Sequence, residues 1–269
     1  MTIATKKKPG KALVKWDEKF ASYAKAEKQQ VATIAGGGPT VKFGPGSIIV
    51  NGGQIPGAKL ECVIIASCAF NAWYGGRPYD PDDPQPPECY AFAEVASPDM
   101  TPHKECQSPQ SKTCGECPRN EFGTAVTGRG KDCGNNIRLG LVLAKEVKDV
   151  EGIATLEMAL AKVSPTNLKS WKGFVDAITD DPQDPRPVWS VVTEIQSKPV
   201  TTGRAGHLLE FRRVETIDDG DILAALEQRH LTAQKILQQP YGPPIERVKG
   251  PRAGANRKFA VAVKKGGRR

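Results

Sequence analysis

The chain predicts an α+β fold, mainly β, with a long loop insertion and a C-terminal helix. Three observations point there. Glycine (27) and proline (22) are abundant among 269 residues, so turns are frequent and long helices do not dominate. Short apolar, β-branched runs recur between turn signals, as in Leu60–Ala66 and Val188–Ile195. The strongest helical pattern, Asp218–Gln238, lies late in the chain.

Residues 1–34 read as a basic arm carrying Lys6, Lys7, Lys8, Lys11 and Lys15, with a short amphipathic segment from Trp16 to Ala26. Residues 35–238 form the expected core. Its first stretch, Ala35–Gly46, is glycine-rich and reads as a loop. Ser47–Val50 is a strand, and Asn51-Gly52-Gly53 a tight hairpin turn, because Asn and Gly accept positive φ. Lys59–Ser67 is a buried strand. Four prolines between Tyr79 and Pro87 exclude a helix or central strand there. From Cys89 to Cys133 apolar periodicity is weak, so this excursion needs something other than a core to hold it. The insertion as a whole spans about residues 79–135.

Arg138–Ala144 reads as a strand returning to the core. Thr155–Leu160 is a further short strand, with a helix as the alternative. In Pro165–Ile178 the residues Leu168, Trp171, Phe174, Val175 and Ile178 share one helical face. Val188–Ile195 and Gly206–Val214 predict a hairpin joined through Thr201–Ala205. The last helix starts at an N-cap, Asp218 or Asp219, and stops before Pro240. Residues 239–269 read as a flexible basic tail, with nine basic residues and no acidic one from Arg247 to Arg269.

Net charge is +8, concentrated at the two ends, which fits a polyanionic partner or a solubilising role. No apolar run is long enough to span a membrane, and no apolar segment follows the basic start as a secretory signal would require. Without a secretory signal, clustered thiols point to metal binding rather than disulfides. Cys114 and Cys117 have the two-residue spacing that turns two thiolates onto one ion, and Cys133 follows after fifteen intervening residues. A closed zinc site takes four ligands, so one is missing. Cys106, Cys89 and His103 are the candidates. Cys62 and Cys68 sit in or beside an apolar strand and are expected in the core.

Other chemistry is thin. The three histidines have no metal-ligand spacing with one another, and Gly36-Gly37-Gly38 lacks the lysine ending of a phosphate loop. Gly128-Arg129-Gly130-Lys131 reads either as a phosphate seat or as a solvated turn. Asp82-Asp83 and Asp180-Asp181 read as turns. No catalytic constellation emerges, so no enzyme is expected. Phe70, Trp73, Tyr74 and Tyr79 cluster near Arg77, and Tyr90 and Phe92 follow. Rings on a β surface beside cations suit single-stranded nucleic acid, whose bases stack while cations track the backbone. The other reading is that these rings pack inward.

Asn71–Leu143 also resembles a family of tailed-bacteriophage single-stranded DNA-binding proteins. The resemblance rests on Asn71 with Tyr74, Tyr79-Asp80-Pro81-Asp82, Pro87 before Cys89, Tyr90-Ala91-Phe92, Met100 with Pro102-His103, and Pro109-Gln110. It continues through Cys114, Cys117-Pro118, Asn120, Phe122-Gly123, Gly128-Arg129-Gly130-Lys131, Cys133 and Arg138-Leu139, and beyond them to Trp171 and Val191-Val192-Thr193-Glu194. It implies an OB-like barrel with a zinc-held loop insertion and the ligand set Cys89, Cys114, Cys117 and Cys133, leaving Cys106 and His103 as alternates. It further implies binding of single-stranded DNA, or RNA, in phage replication or recombination within the cytoplasm of the infected host cell. Expected nucleic-acid contacts are Trp73, Tyr74, Arg77, Tyr79, Tyr90, Phe92, Arg129, Lys131 and Arg138. Replication or transcription proteins and a second copy of the chain are further expected partners; a membrane is not. Such proteins commonly end in an acidic tail; this chain ends in Lys264-Lys265 and Arg268-Arg269. The alternative function is a zinc-stabilised interaction factor that docks on RNA polymerase or a replication enzyme.

Overall fold

The computed structural model describes residues 39–76, 85–126, 128–200 and 206–241. The basic arm, Arg77, Tyr79, most of the proline run, the Thr201–Ala205 connection and the chain after Tyr241 lie outside the described residues. The fold is mixed α and β and mostly strand: a curled sheet with helices against it and a C-terminal helix. The strands are β1 (Thr40–Gly44), β2 (Ser47–Val50), β3 (Gly53–Gln54), β4 (Lys59–Trp73), β5 (Cys89–Ala93), β6 (Gly134–Leu143), β7 (Ala159–Val163), β8 (Val191–Pro199) and β9 (His207–Thr216). Among the described residues the α-helices are α1 (Val150–Thr155), α2 (Leu168–Thr179) and α3 (Gly220–Leu237). The sheet runs β3-β2-β1-β7-β6-β4-β8-β9, with β5 as an extra partner of β4.

Strand β4 organises everything else. Of its fifteen residues, the span from Cys62 to Ala72 pairs antiparallel with β6 along one edge. On the other edge β8 takes Lys59–Val63 and β5 takes Ala69–Trp73. Leu60, Cys62 and Ile64 point to one face, where they meet Trp171, Phe174 and Ile178 of α2. Val63 and Ile65 point to the other, where they meet Ile153 of α1 and Leu226, Ala233 and Leu237 of α3. A strand covered on both faces reads as an unbroken apolar run, which is why Leu60–Ala66 shows no alternation. A register shift between Ile64 and Ala66 bulges the strand, so Ala66 and Cys68 continue on the face of Ile65.

Several expectations hold. Asn51 (φ 50°) and Gly52 (φ 85°) form the hairpin turn between β2 and β3. β8 and β9 pair antiparallel. The Asp219 carboxylate caps α3, accepting from the Asp221 and Ile222 amides. Asp181 accepts from the Gln183 amide as a turn residue does. Cys62 and Cys68 are buried.

Others need correction. Within the expected Ala35–Gly46 loop, Thr40–Gly44 is a strand, held between β2 and a parallel partner, β7. β4 does not stop at Ser67 but runs on to Trp73, because β5 and β6 flank its second half. Thr155–Leu160 is neither strand nor helix as a unit: α1, capped by Asp149, ends at Thr155, and β7 begins at Ala159. The tail does not begin at 239, since Tyr241 packs against Phe70 and Tyr90.

Candidate metal centre

The second half of β4 and its partner β5 form a ribbon with two unlike faces. Side chains alternate along each strand, so Cys89 and Ala91 face one way and Tyr90 and Phe92 the other. On the first face Ala69, Ala91, Met100 and Cys114 pack together. On the second, Phe70, Ala72 and Tyr90 pack with Phe92, Cys106 and Tyr241.

Loops wrap over the first face through backbone hydrogen bonds rather than apolar packing. The Cys114 amide donates to Met100 O at 2.7 Å, Gly115 to Pro98 O at 2.7 Å, and Cys133 to Arg119 O at 2.8 Å. Asn120 Nδ2 donates to Cys114 O at 2.7 Å, tying the Cys117–Cys133 loop back to Cys114. The result is a cavity of about 20 Å³, room for roughly one water-sized occupant. Cys89, Cys114, Cys117 and Cys133 all line it, with Asn71, Trp73 and Asn120. They arrive from three separate stretches: the start of β5, the Cys114–Cys117 turn, and the residue before β6. Among the described residues, no three His, Cys, Asp or Glu side chains stand grouped closely enough to hold an ion as they are.

The alternate ligands stand outside the cavity lining, although the Cys106 thiol shares a side-chain hydrogen bond with Cys89 and couples to Cys114. Neither Cys106 nor His103 lines the cavity. Cys106 sits at the β5 edge, its sulfur 3.1 Å from Tyr90 O and 3.2 Å from Tyr90 N. His103 stacks on the Tyr90 ring with centroids 5.3 Å apart, and its Nδ1 accepts from the Glu105 amide at 3.2 Å.

The thiols need a positive charge to ionise together. Cys133 is pushed up to about 12, chiefly by burial, with Cys114, Cys117 and Cys89 contributing to the rise and a backbone hydrogen bond from Ala72 opposing it. Burial also raises Cys114, with Cys89 and Cys117 adding to the shift and the Asn71 side chain opposing it. Cys89 is raised by burial and by Cys106 and Cys117, against a backbone hydrogen bond from Gln110. Each thiolate here penalises the next. A dication among them would reverse the sign of that coupling, which is the chemistry of an all-thiolate zinc site.

No family model, characterised protein or solved structure matches this chain. The residues themselves must carry the functional reading.

The expected nucleic-acid contacts separate into groups. Trp73 is buried at 8% exposure; its indole N–H donates to Asp132 Oδ2 at 2.7 Å, and Arg119 lies over the ring at 5.0 Å. Tyr90 is buried at 3%. Arg138 stands 5.1 Å over Phe92, 5.3 Å over Tyr241 and 5.9 Å over Phe70, and donates to Leu237 O at 2.9 Å. These groups join β5, β6 and the end of α3 into one cluster. Tyr74 is exposed beside it. Arg129 and Lys131 lie apart, on the Cys117–Cys133 loop, while Arg77 and Tyr79 are outside the described residues. Sequence reasoning left Phe122 out of the contact set. It is 83% exposed, with Lys131 Nζ 5.2 Å from its ring centroid. Exposure of a loop ring depends on how the loop folds back on itself, which no spacing reveals.

Proposed function

We propose that this protein is a non-enzymatic, sequence-tolerant binder of single-stranded DNA, acting in phage replication or recombination. In this reading its curled sheet is an OB-like barrel, and Cys89, Cys114, Cys117 and Cys133 hold a structural zinc ion. The observation that carries the reading is the convergence of those four cysteines, from three chain segments, on one small cavity beneath a loop that bears an exposed ring and cations. Four thiolates make a closed tetrahedral set with no open position for substrate, so the ion would serve as scaffold. Bound there, zinc would supply the positive charge that lets buried thiols ionise together. Asn71 and Asn120 would steady the set from the cavity wall. The charge of +8 supports a polyanionic partner.

A fluorescence titration of oligo-dT with the full chain tests the function. Binding at low salt is expected, falling steeply as salt rises because phosphate contacts release condensed counterions. Duplex DNA should bind more weakly, since its bases are not free to stack. Absence of oligo-dT binding at low salt sinks the reading. Partners captured from infected-cell lysate that survive nuclease, without such binding, would favour the docking alternative.

A further inference from the structure

Among the described residues, Phe122 at 83% and Val126 at 85% are the most exposed large apolar side chains. Both stand on the loop between Cys117 and Cys133. That loop is built, not slack. The Gly123 amide donates to Gly130 O at 2.7 Å and Gly128 to Ala125 O at 2.7 Å. Thr124 Oγ1 donates to Glu121 O at 2.7 Å and accepts from the Asp132 amide at 3.0 Å. Gly123 (φ 93°) and Gly130 (φ 87°) take left-handed turns that a side chain would strain. At the base, Asp132 is held by Trp73 and by Arg119 at 3.4 Å, and Lys131 Nζ donates to Asn120 Oδ1 at 3.2 Å.

A loop so tied internally does not bury its ring; it presents it. Exposing Phe122 sacrifices apolar burial, and its hydrogen-bonded frame removes the ordering cost of a later contact. Charge chooses the occupant. Lys131 lies 5.2 Å from the ring centroid, and Arg129 is exposed on the same turn. Asp132 is already engaged by Arg119 and Trp73, leaving Glu121 as the opposing charge. A flat apolar face flanked by cations matches a nucleobase with its phosphates. It matches an apolar protein groove less well, since an apolar wall closing over the cations would add a desolvation cost that phosphates offset.

We propose that Phe122 is a base-stacking residue for single-stranded DNA, with Lys131 and Arg129 contacting the adjoining phosphates. The inference rests on the function proposed above and adds where a base sits: on the loop tip, not on the buried rings Trp73 and Tyr90. Stacked bases lose binding on alanine substitution by an amount equal to ~5- to ~150-fold in affinity.

The test is oligo-dT titration of the full chain beside Phe122→Ala, Phe122→Leu and Phe122→Trp, with circular dichroism and metal content measured for each. Expected is a loss of ~5-fold or more for Ala and Leu, near-native affinity for Trp, and unchanged fold and metal. Photocrosslinking with a 5-iododeoxyuridine oligonucleotide should modify Phe122. If the wild type binds oligo-dT and Phe122→Ala binds equally, the inference fails while the function stands. If Trp does not restore what Leu loses, stacking is wrong. If Phe122→Ala abolishes self-association and leaves DNA binding intact, the tip is a subunit contact instead. A wild type that binds no oligo-dT removes both proposals.

Discussion

The two halves of β4 belong to one continuous strand but are held in different ways. Lys59–Ile65 lies between β6 and β8, with α2 on one face and α1 and α3 on the other. Its neighbours are Leu, Ile, Val, Trp and Phe, and apolar burial accounts for its stability. Ala69–Trp73 carries β5 on its edge and, on one face, a long wrap of loops whose buried side chains are mainly cysteines. That wrap has backbone hydrogen bonds but little apolar surface to bury. One strand thus spans a conventional core and a region that needs another source of cohesion.

Metal removal should break the contrast most sharply. Structural zinc in small all-protein sites binds with ~10–16 kcal/mol of apparent free energy, and that energy is folding energy. A strong chelator, or Cys117→Ser, should therefore speed amide hydrogen exchange across residues 94–133 and leave β6, β8 and α3 protected. Equal loss of protection in both regions would mean that the halves are one cooperative unit. A core substitution should act in the opposite sense. Leu139 is fully buried on the α2 face, and Leu139→Ala should cost ~2–5 kcal/mol in urea unfolding, with or without chelator.

Much of the conventional half is legible in the sequence. Trp171, Phe174 and Ile178 announce α2 by their spacing, Asp219 and Pro240 bracket α3, and Asn51-Gly52 marks the hairpin. β1 is not legible, since Thr40–Gly44 is short, has two apolar residues, and is a strand only because β2 and β7 flank it. The cysteine half is legible in part. Local spacing groups Cys114, Cys117 and Cys133, because those ligands share one excursion. Cys89 joins their cavity through the register of β5 on β4, a long-range pairing, and on spacing alone it cannot be preferred to Cys106. Phe122 stayed hidden for a different reason: its exposure follows from the Gly123–Gly130 closure, a loop geometry that residue spacing does not encode.

Alkaline titration sharpens the comparison with a smaller effect. Burial pushes Cys62 up to about 12 and Cys68 to about 11 in the core half, and Cys133 up to about 12 in the cysteine half, from an ordinary 9.0. Each stays protonated when folded at a pH where the unfolded chain has ionised. Folding stability is then full below about pH 9 and declines as pH rises toward 11 to 12. The urea midpoint of metal-free protein should fall over that window, and Cys62→Ala should lessen the fall. A loaded metal would hold Cys133 as thiolate and take it out of the decline, leaving Cys62 and Cys68.

The most direct measurement is metal content of the purified chain and two variants by elemental analysis. One zinc per chain is expected for the wild type and for Cys106→Ser, and none for Cys89→Ser. Zinc kept by Cys89→Ser and lost by Cys106→Ser would contradict the cavity set. A wild type purified and reconstituted without retaining metal would contradict the centre itself.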